Sequence, residues 1–310
     1  MHRRSLLALL LATPAAAQTA GLPVVVSFSI LGDMTAQIGG DRLAIRVIAG
    51  PDVDAHGFQP RPSDVAALRG ATVVVRNGLG FDSWIDRLTR SAGFNGVLAT
   101  ATEGITPRAM DGHSHDHDHG GGRRRAHSLG PRSVPDPHAW QDLRLGQVYL
   151  RNIAAALIAA DPAGEAVYRR NAEAYAARLS ALDAWVRAQI ATVPEDRRRV
   201  VTSHDAFGYF AAAYGVEFLA PQGVSTEAEP SAADVARLIR QIRAENISAL
   251  FMENMANPAT LNRIAAETGI TVSGRLFADA LSAPDGPAPT YEAMFRNNVG
   301  LLVPAMRGRG

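Results

Sequence analysis

The chain has 310 residues, 47% hydrophobic and 20% charged, with a formal net charge of +1. Such a mixture supports packed globular cores and excludes fibrous or wholly disordered readings, and a charge near zero offers no basic field for nucleic acid. All 31 basic residues are Arg and Cys is absent, which excludes Schiff-base and P-loop lysines, thiol nucleophiles, disulfides, iron–sulfur clusters and Cys-rich zinc sites.

Arg3-Arg4, the apolar run Leu6 to Leu11 and Pro14-Ala15-Ala16-Ala17 describe a secretory signal peptide over residues 1–17. The run is too short to span a bilayer, and no later stretch reaches about 18 apolar residues. Cleavage removes two Arg and no acid, so the mature charge becomes −1. With no Cys to carry a lipid, the mature protein is expected to be exported to a bacterial periplasm without an anchor.

Strands are predicted at Val24–Phe28, Leu43–Ile48, Val73–Val75 and Val97–Leu98. Helices fall between them at Ile30–Ile38, Ser63–Leu68 with Ser63 as its cap, and Phe81–Thr89. This alternation argues for a parallel sheet covered on both faces. Residues 111–135 are rich in Gly, His, Asp, Arg, Ser and Pro and read as a long flexible loop.

Helix follows at Leu143–Ala159. Asp161-Pro162 then opens a second helical pattern, with Tyr168, Ala172, Tyr175, Leu179, Leu182, Val186, Ile190 and Val193 spaced by three and four until Pro194. A helix of roughly 32 residues spans about 48 Å, too long for one small lobe, so it should join two. Alternation then resumes. Strands are expected at Val200–Val201, Val216–Leu219, Ala249–Met252 and Ile270–Val272, and helices at Phe207–Tyr214, Ala232–Arg243, Ala259–Thr268 and Tyr291–Leu302.

The predicted fold is α/β with two lobes, each a mostly parallel sheet flanked by helices, joined by one long rigid helix. The N-terminal lobe covers 21–160, the linking helix 161–194 and the C-terminal lobe 195–310. Strand ends of both lobes would face a shared cleft, where open α/β sheets place ligands.

Three of the nine His lie at predicted element junctions. They are His56 in Asp54-Ala55-His56-Gly57-Phe58-Gln59-Pro60, His138 in Asp136-Pro137-His138-Ala139-Trp140, and His204 in Ser203-His204-Asp205-Ala206-Phe207-Gly208-Tyr209-Phe210. Imidazole is a common neutral zinc ligand, and three make a usual zinc set. Ordinary imidazoles would yield the metal to protons below about pH 6.

These three segments, with Ala278-Asp279-Ala280-Leu281-Ser282, resemble the substrate-binding proteins of zinc and manganese ABC transporters (cluster A-I), nearest the zinc branch. The likeness covers essentially the whole mature chain, in the family's order and spacing. It implies a metal site of His56, His138, His204 and Asp279, with water able to replace Asp279. It also implies Zn²⁺ as the transported ligand, an inner-membrane ABC permease and its ATPase as partners, and no enzymatic activity. A periplasmic zinc chaperone is a further candidate partner, and the protein is read as a monomer. Two departures stand out: Ala55, where many members have Pro, and Gln141, where Leu is common.

Glu253, after the strand at 249–252, points to the cleft edge and is read as supporting a ligand rather than binding metal. His113, His115, His117 and His119 alternate with small or acidic residues in the loop and form an auxiliary, weak metal-binding tract. The nearer rival reading is a manganese-binding member of the same family. A rival of another class is a secreted zinc hydrolase, disfavoured because no H-E-x-x-H motif and no Glu beside a candidate ligand supplies a general base.

Overall fold

Two four-stranded parallel sheets carry the fold in this computed structural model, which describes residues 21–110 and 134–308. The predicted signal peptide and the tract His113 to His119 lie outside the described residues. In the first sheet β1 (Leu22–Phe28) pairs with β2 (Leu43–Ala49) on one side and β3 (Val73–Arg76) on the other, and β4 (Val97–Thr100) flanks β3. Val24, Val26, Val73 and Val75 are buried, as strands covered on both faces require.

The second sheet repeats this order. Its first strand, β7 (Arg199–Val201), lies between β8 (Glu217–Leu219) and β9 (Leu250–Glu253), and β10 (Val272–Leu276) flanks β9. Between the sheets in sequence, a small antiparallel pair joins β5 (Ala109–Met110) to β6 (Val134–Pro135). Residues 134–135 were expected in the loop; they instead close it against β5.

The helices around the first sheet are α1 (Ser29–Gly39), α2 (Pro62–Arg69), α3 (Trp84–Ala92) and α4 (Leu143–Ala160). The second sheet carries α6 (Gly208–Tyr214), α7 (Ala232–Ala244), α8 (Ala259–Thr268) and α9 (Tyr291–Met306). Ser63 does not cap α2. Pro62 is already helical, and the Asp64 carboxylate accepts from the Arg61 backbone N–H at 2.8 Å. Phe81, expected in α3, sits in the turn before it.

The long helix α5 (Glu165–Ala191) has 27 residues, about 40 Å at 1.5 Å per residue, after a 3₁₀ turn at Pro162–Gly164. It is shorter than the periodicity suggested. Its first turn is tightened into the 3₁₀ segment, and its apolar pattern outlasts its backbone at the other end. Tyr168, Tyr175, Leu179, Leu182, Val186 and Ile190 form its buried stripe. That stripe lies on α1 and α4 of one lobe and on α6 and α9 of the other, so α5 joins the two. One apolar core runs through both lobes along it, and a smaller cluster sits under α7 and α8.

Leu179 has no exposed surface in the shared core. Leu179→Ala should therefore cost about 2–5 kcal/mol. Because the core is continuous, urea unfolding followed by circular dichroism and by tryptophan emission should show one coincident transition, shifted to lower denaturant.

Candidate metal centre

All four positions singled out in the sequence meet in the cleft. His56 follows β2, His204 follows β7 and Asp279 follows β10, each at the carboxyl end of its strand. His138 precedes the 3₁₀ turn Ala139–Gln141 that leads into α4. One ligand atom from each of the four lies within 4.8 Å of the others. Asp279 is central: its Oδ2 is 3.0 Å from His204 Nε2 and 3.3 Å from His56 Nε2, and its Oδ1 is 3.5 Å from His138 Nε2. His56 Nε2 is 3.3 Å from His138 Nε2.

The site is dry. The side chains of His138, His204 and Asp279 have no exposed surface, and that of His56 has 4%. His204 Nε2 and both Asp279 oxygens are buried, and among the described residues they are met by one another and by the Nε2 atoms of His56 and His138. A buried carboxylate faced by imidazoles is costly unless a proton or a cation balances its charge. Three imidazoles and a carboxylate converging on one point fit a divalent cation.

Each ligand is held from behind. His138 Nδ1 is 2.8 Å from Asp136 Oδ1, and the same oxygen accepts the His138 backbone N–H at 3.0 Å. His204 Nδ1 is 2.5 Å from Glu253 Oε2, while Glu253 Oε1 accepts the backbone N–H groups of Ser203 and His204. Glu253 thus stands behind a ligand. Asp54 Oδ1 accepts the His56 backbone N–H at 2.9 Å. The same local device therefore shapes two loops: an Asp two residues before the His turns the chain by accepting its N–H. Sequence reasoning missed the roles of Asp54 and Asp136, although the repeated D-x-H spacing carried the signal. At the first departure, buried Ala55 receives Trp84 Nε1 on its carbonyl; at the second, Gln141 Nε2 donates to the Ala278 carbonyl beside Asp279.

Charge and burial oppose each other here. Burial lowers the His138 pKa, but the charges of Asp279 and Asp136 outweigh it and push it up to about 9. His204 pays the same burial penalty and is still held well above the ordinary imidazole range by Glu253 and Asp279. For His56 burial prevails over Asp279, and its pKa falls. Asp279 is buried too, yet His204 and His138 hold it well below the usual carboxylate range.

Residues 24–305 match the family model described as zinc-uptake complex component A, periplasmic. The chain belongs to this family. A manganese-binding lipoprotein of Halalkalibacterium halodurans is 29% identical over 285 residues, 91% of this chain and 88% of the relative. An iron ABC transporter substrate-binding lipoprotein of Streptococcus pyogenes serotype M1 is 30% identical over 284 residues, covering 90% and 86%. Among solved structures, the periplasmic zinc-binding protein TroA of Treponema pallidum superposes with a TM-score of 0.81 at 27% identity, covering 92% of this chain and 99% of that one.

Family members are metal-binding substrate proteins that work with an ABC permease and ATPase, and not enzymes, which removes the hydrolase reading. Membership leaves the metal open, since the relatives are named for manganese, iron and zinc. Relatives are also named lipoproteins, against the expectation of an unanchored protein, and that expectation is withdrawn. Among the described residues no helix is long and apolar enough to cross a membrane.

The raised histidine pKa values set the pH dependence. Both shifts favour the protonated imidazoles in the metal-free protein, so a cation competes with protons at His138 and His204. Metal affinity should therefore still be rising with pH above neutrality, towards the value of about 9 at His138. Competition titrations across pH 6.5–9.5 would show this. A plateau already reached at pH 7 would mean that ordinary imidazoles line the site.

Proposed function

We propose that the protein captures Zn²⁺ in the periplasm and delivers it to an inner-membrane ABC permease and its ATPase. The observation that carries this reading is the donor set. Three imidazole nitrogens and one carboxylate oxygen lie within 4.8 Å of one another. Zinc is content with four ligands of this kind, nitrogen from His and oxygen from Asp. In this reading His56, His138, His204 and Asp279 are the ligands, and Asp136 and Glu253 fix which imidazole nitrogen faces the metal. The signal-like residues 1–17 support export, and His113, His115, His117 and His119 supply weak additional sites.

A manganese reading has one observation in its favour besides the relatives' names: both Asp279 oxygens face imidazoles, so the carboxylate can bind through two atoms. Manganese prefers oxygen donors and higher coordination numbers. Three nitrogens weigh the set towards zinc.

His204→Glu should lower zinc affinity and raise manganese affinity relative to zinc, read as the ratio of the two Kd values in one buffer. An unchanged ratio would place His204 outside the metal's coordination shell. Removing residues 111–129 should leave one tight zinc per chain by equilibrium dialysis and take away only weaker sites, because ordering a chain segment on binding costs about 1–2 kcal/mol per residue. Loss of the tight site would refute the assignment.

A further inference from the structure

His56 is the one ligand with any exposed side-chain surface. It lines a surface pocket shared with Phe58, Trp84 and Pro137 of the first lobe and with Val224, Ser225 and Glu227 of the second. The second-lobe residues belong to the segment between β8 and α7. Another pocket is lined by residues of the same segment, Gln222, Thr226 and Glu229, with Asp54 and Ser203. Residues 221–230 therefore border both pockets and form a strap at the cleft.

The strap is tied to the site at two points. At one end Gln222 makes a β-bridge with His204, and the Gly223 carbonyl accepts from the Asp205 N–H at 3.3 Å. At the other, Thr226 Oγ1 donates to Asp54 Oδ2 at 2.6 Å, across the cleft. Asp54 is the residue whose other oxygen holds the His56 backbone. One carboxylate thus connects the strap of the second lobe to the most exposed ligand of the first. Among the described residues this is the strap's only side-chain hydrogen bond to the first lobe, and Thr226 is half-buried.

We propose that Thr226 is a positioning residue: its hydrogen bond to Asp54 latches the strap over the metal's route past His56 and so sets how fast bound metal leaves. The proposal rests on the metal-binding reading above. The bond joins two segments through one carboxylate, and breaking it frees both the strap and the turn that aims His56. The effect falls on dissociation, because the other three ligands keep their own supports from Asp136, Glu253 and the residues around Asp279.

The test loads the protein with Zn²⁺ and follows its transfer to an excess of chromogenic chelator by stopped flow. Thr226→Val keeps the shape and removes the hydroxyl. It should release zinc about tenfold faster, with the association rate within twofold of wild type and the metal-free melting temperature unchanged. Thr226→Ser retains the donor and should restore slow release. Release from Thr226→Val within twofold of wild type overturns the latch. So does equal acceleration in Thr226→Ser, or a gain matched by a fall in metal-free melting temperature, each of which would mark a merely structural role. A wild-type chain that takes up no zinc overturns the metal reading beneath the proposal, and the two failures are distinguishable.

Discussion

A carboxylate with no exposed surface, met by three imidazole nitrogens, lies where the two lobes meet. Asp279 would be very costly there on its own, because a buried charge needs an opposite charge beside it. In the metal-free protein its charge raises the pKa of His138 and His204 and so favours protons there, and a divalent cation would supply the balance in the loaded one. The site is thus never electrically empty, and exchange between protons and metal follows from the burial of one residue.

Much of the surrounding structure fixes that residue. The Ala278 carbonyl accepts from both Trp140 Nε1 and Gln141 Nε2. Asn298 brackets Phe277 through its N–H and its carbonyl. Ser29 Oγ, at the start of α1, accepts from the Leu281 N–H. Asp279 belongs to the second half of the sequence, yet it is pinned by groups from the first. Asp279 is thereby tied to both lobes, His56 and His138 belong to the first, and His204 is held in the second by Glu253. With α5 buried along a core common to both lobes, wide hinge closure has little room, and motion is left to loops and straps at the rim.

Most elements were legible because their apolar periods are clean. Val24-Val25-Val26 and Val73-Val74-Val75 are continuous buried strands, and α5 shows its stripe at three- and four-residue spacing. Where the sequence misled, a local signal was overruled or hidden. Ser63 looked like a cap, but Pro62 had already fixed helical geometry and Asp64 reached back to Arg61. The strand β10 runs to Leu276, beyond the apolar residues that announced it, through Ser273-Gly274-Arg275. At the site, residue types and spacing showed which side chains carry metal chemistry. They pointed to Glu253 as a support but not to the ligand it serves, since it reaches His204 from 49 residues away, and they missed Asp136, which acts through a two-residue turn that reads as an ordinary loop.

The aromatic packing around the cleft makes the chain its own indicator. The Trp140 ring lies 5.2 Å from the His138 ring, and Trp84 is bonded to the carbonyl of Ala55, next to His56. The third indole, Trp185, sits apart on α5 beneath Arg296. Two of the three indoles therefore report on ligand segments and one on the spine between the lobes. Light absorbed by the protein alone carries a signal of what occupies the cleft, and filling or emptying can be watched without attaching any dye.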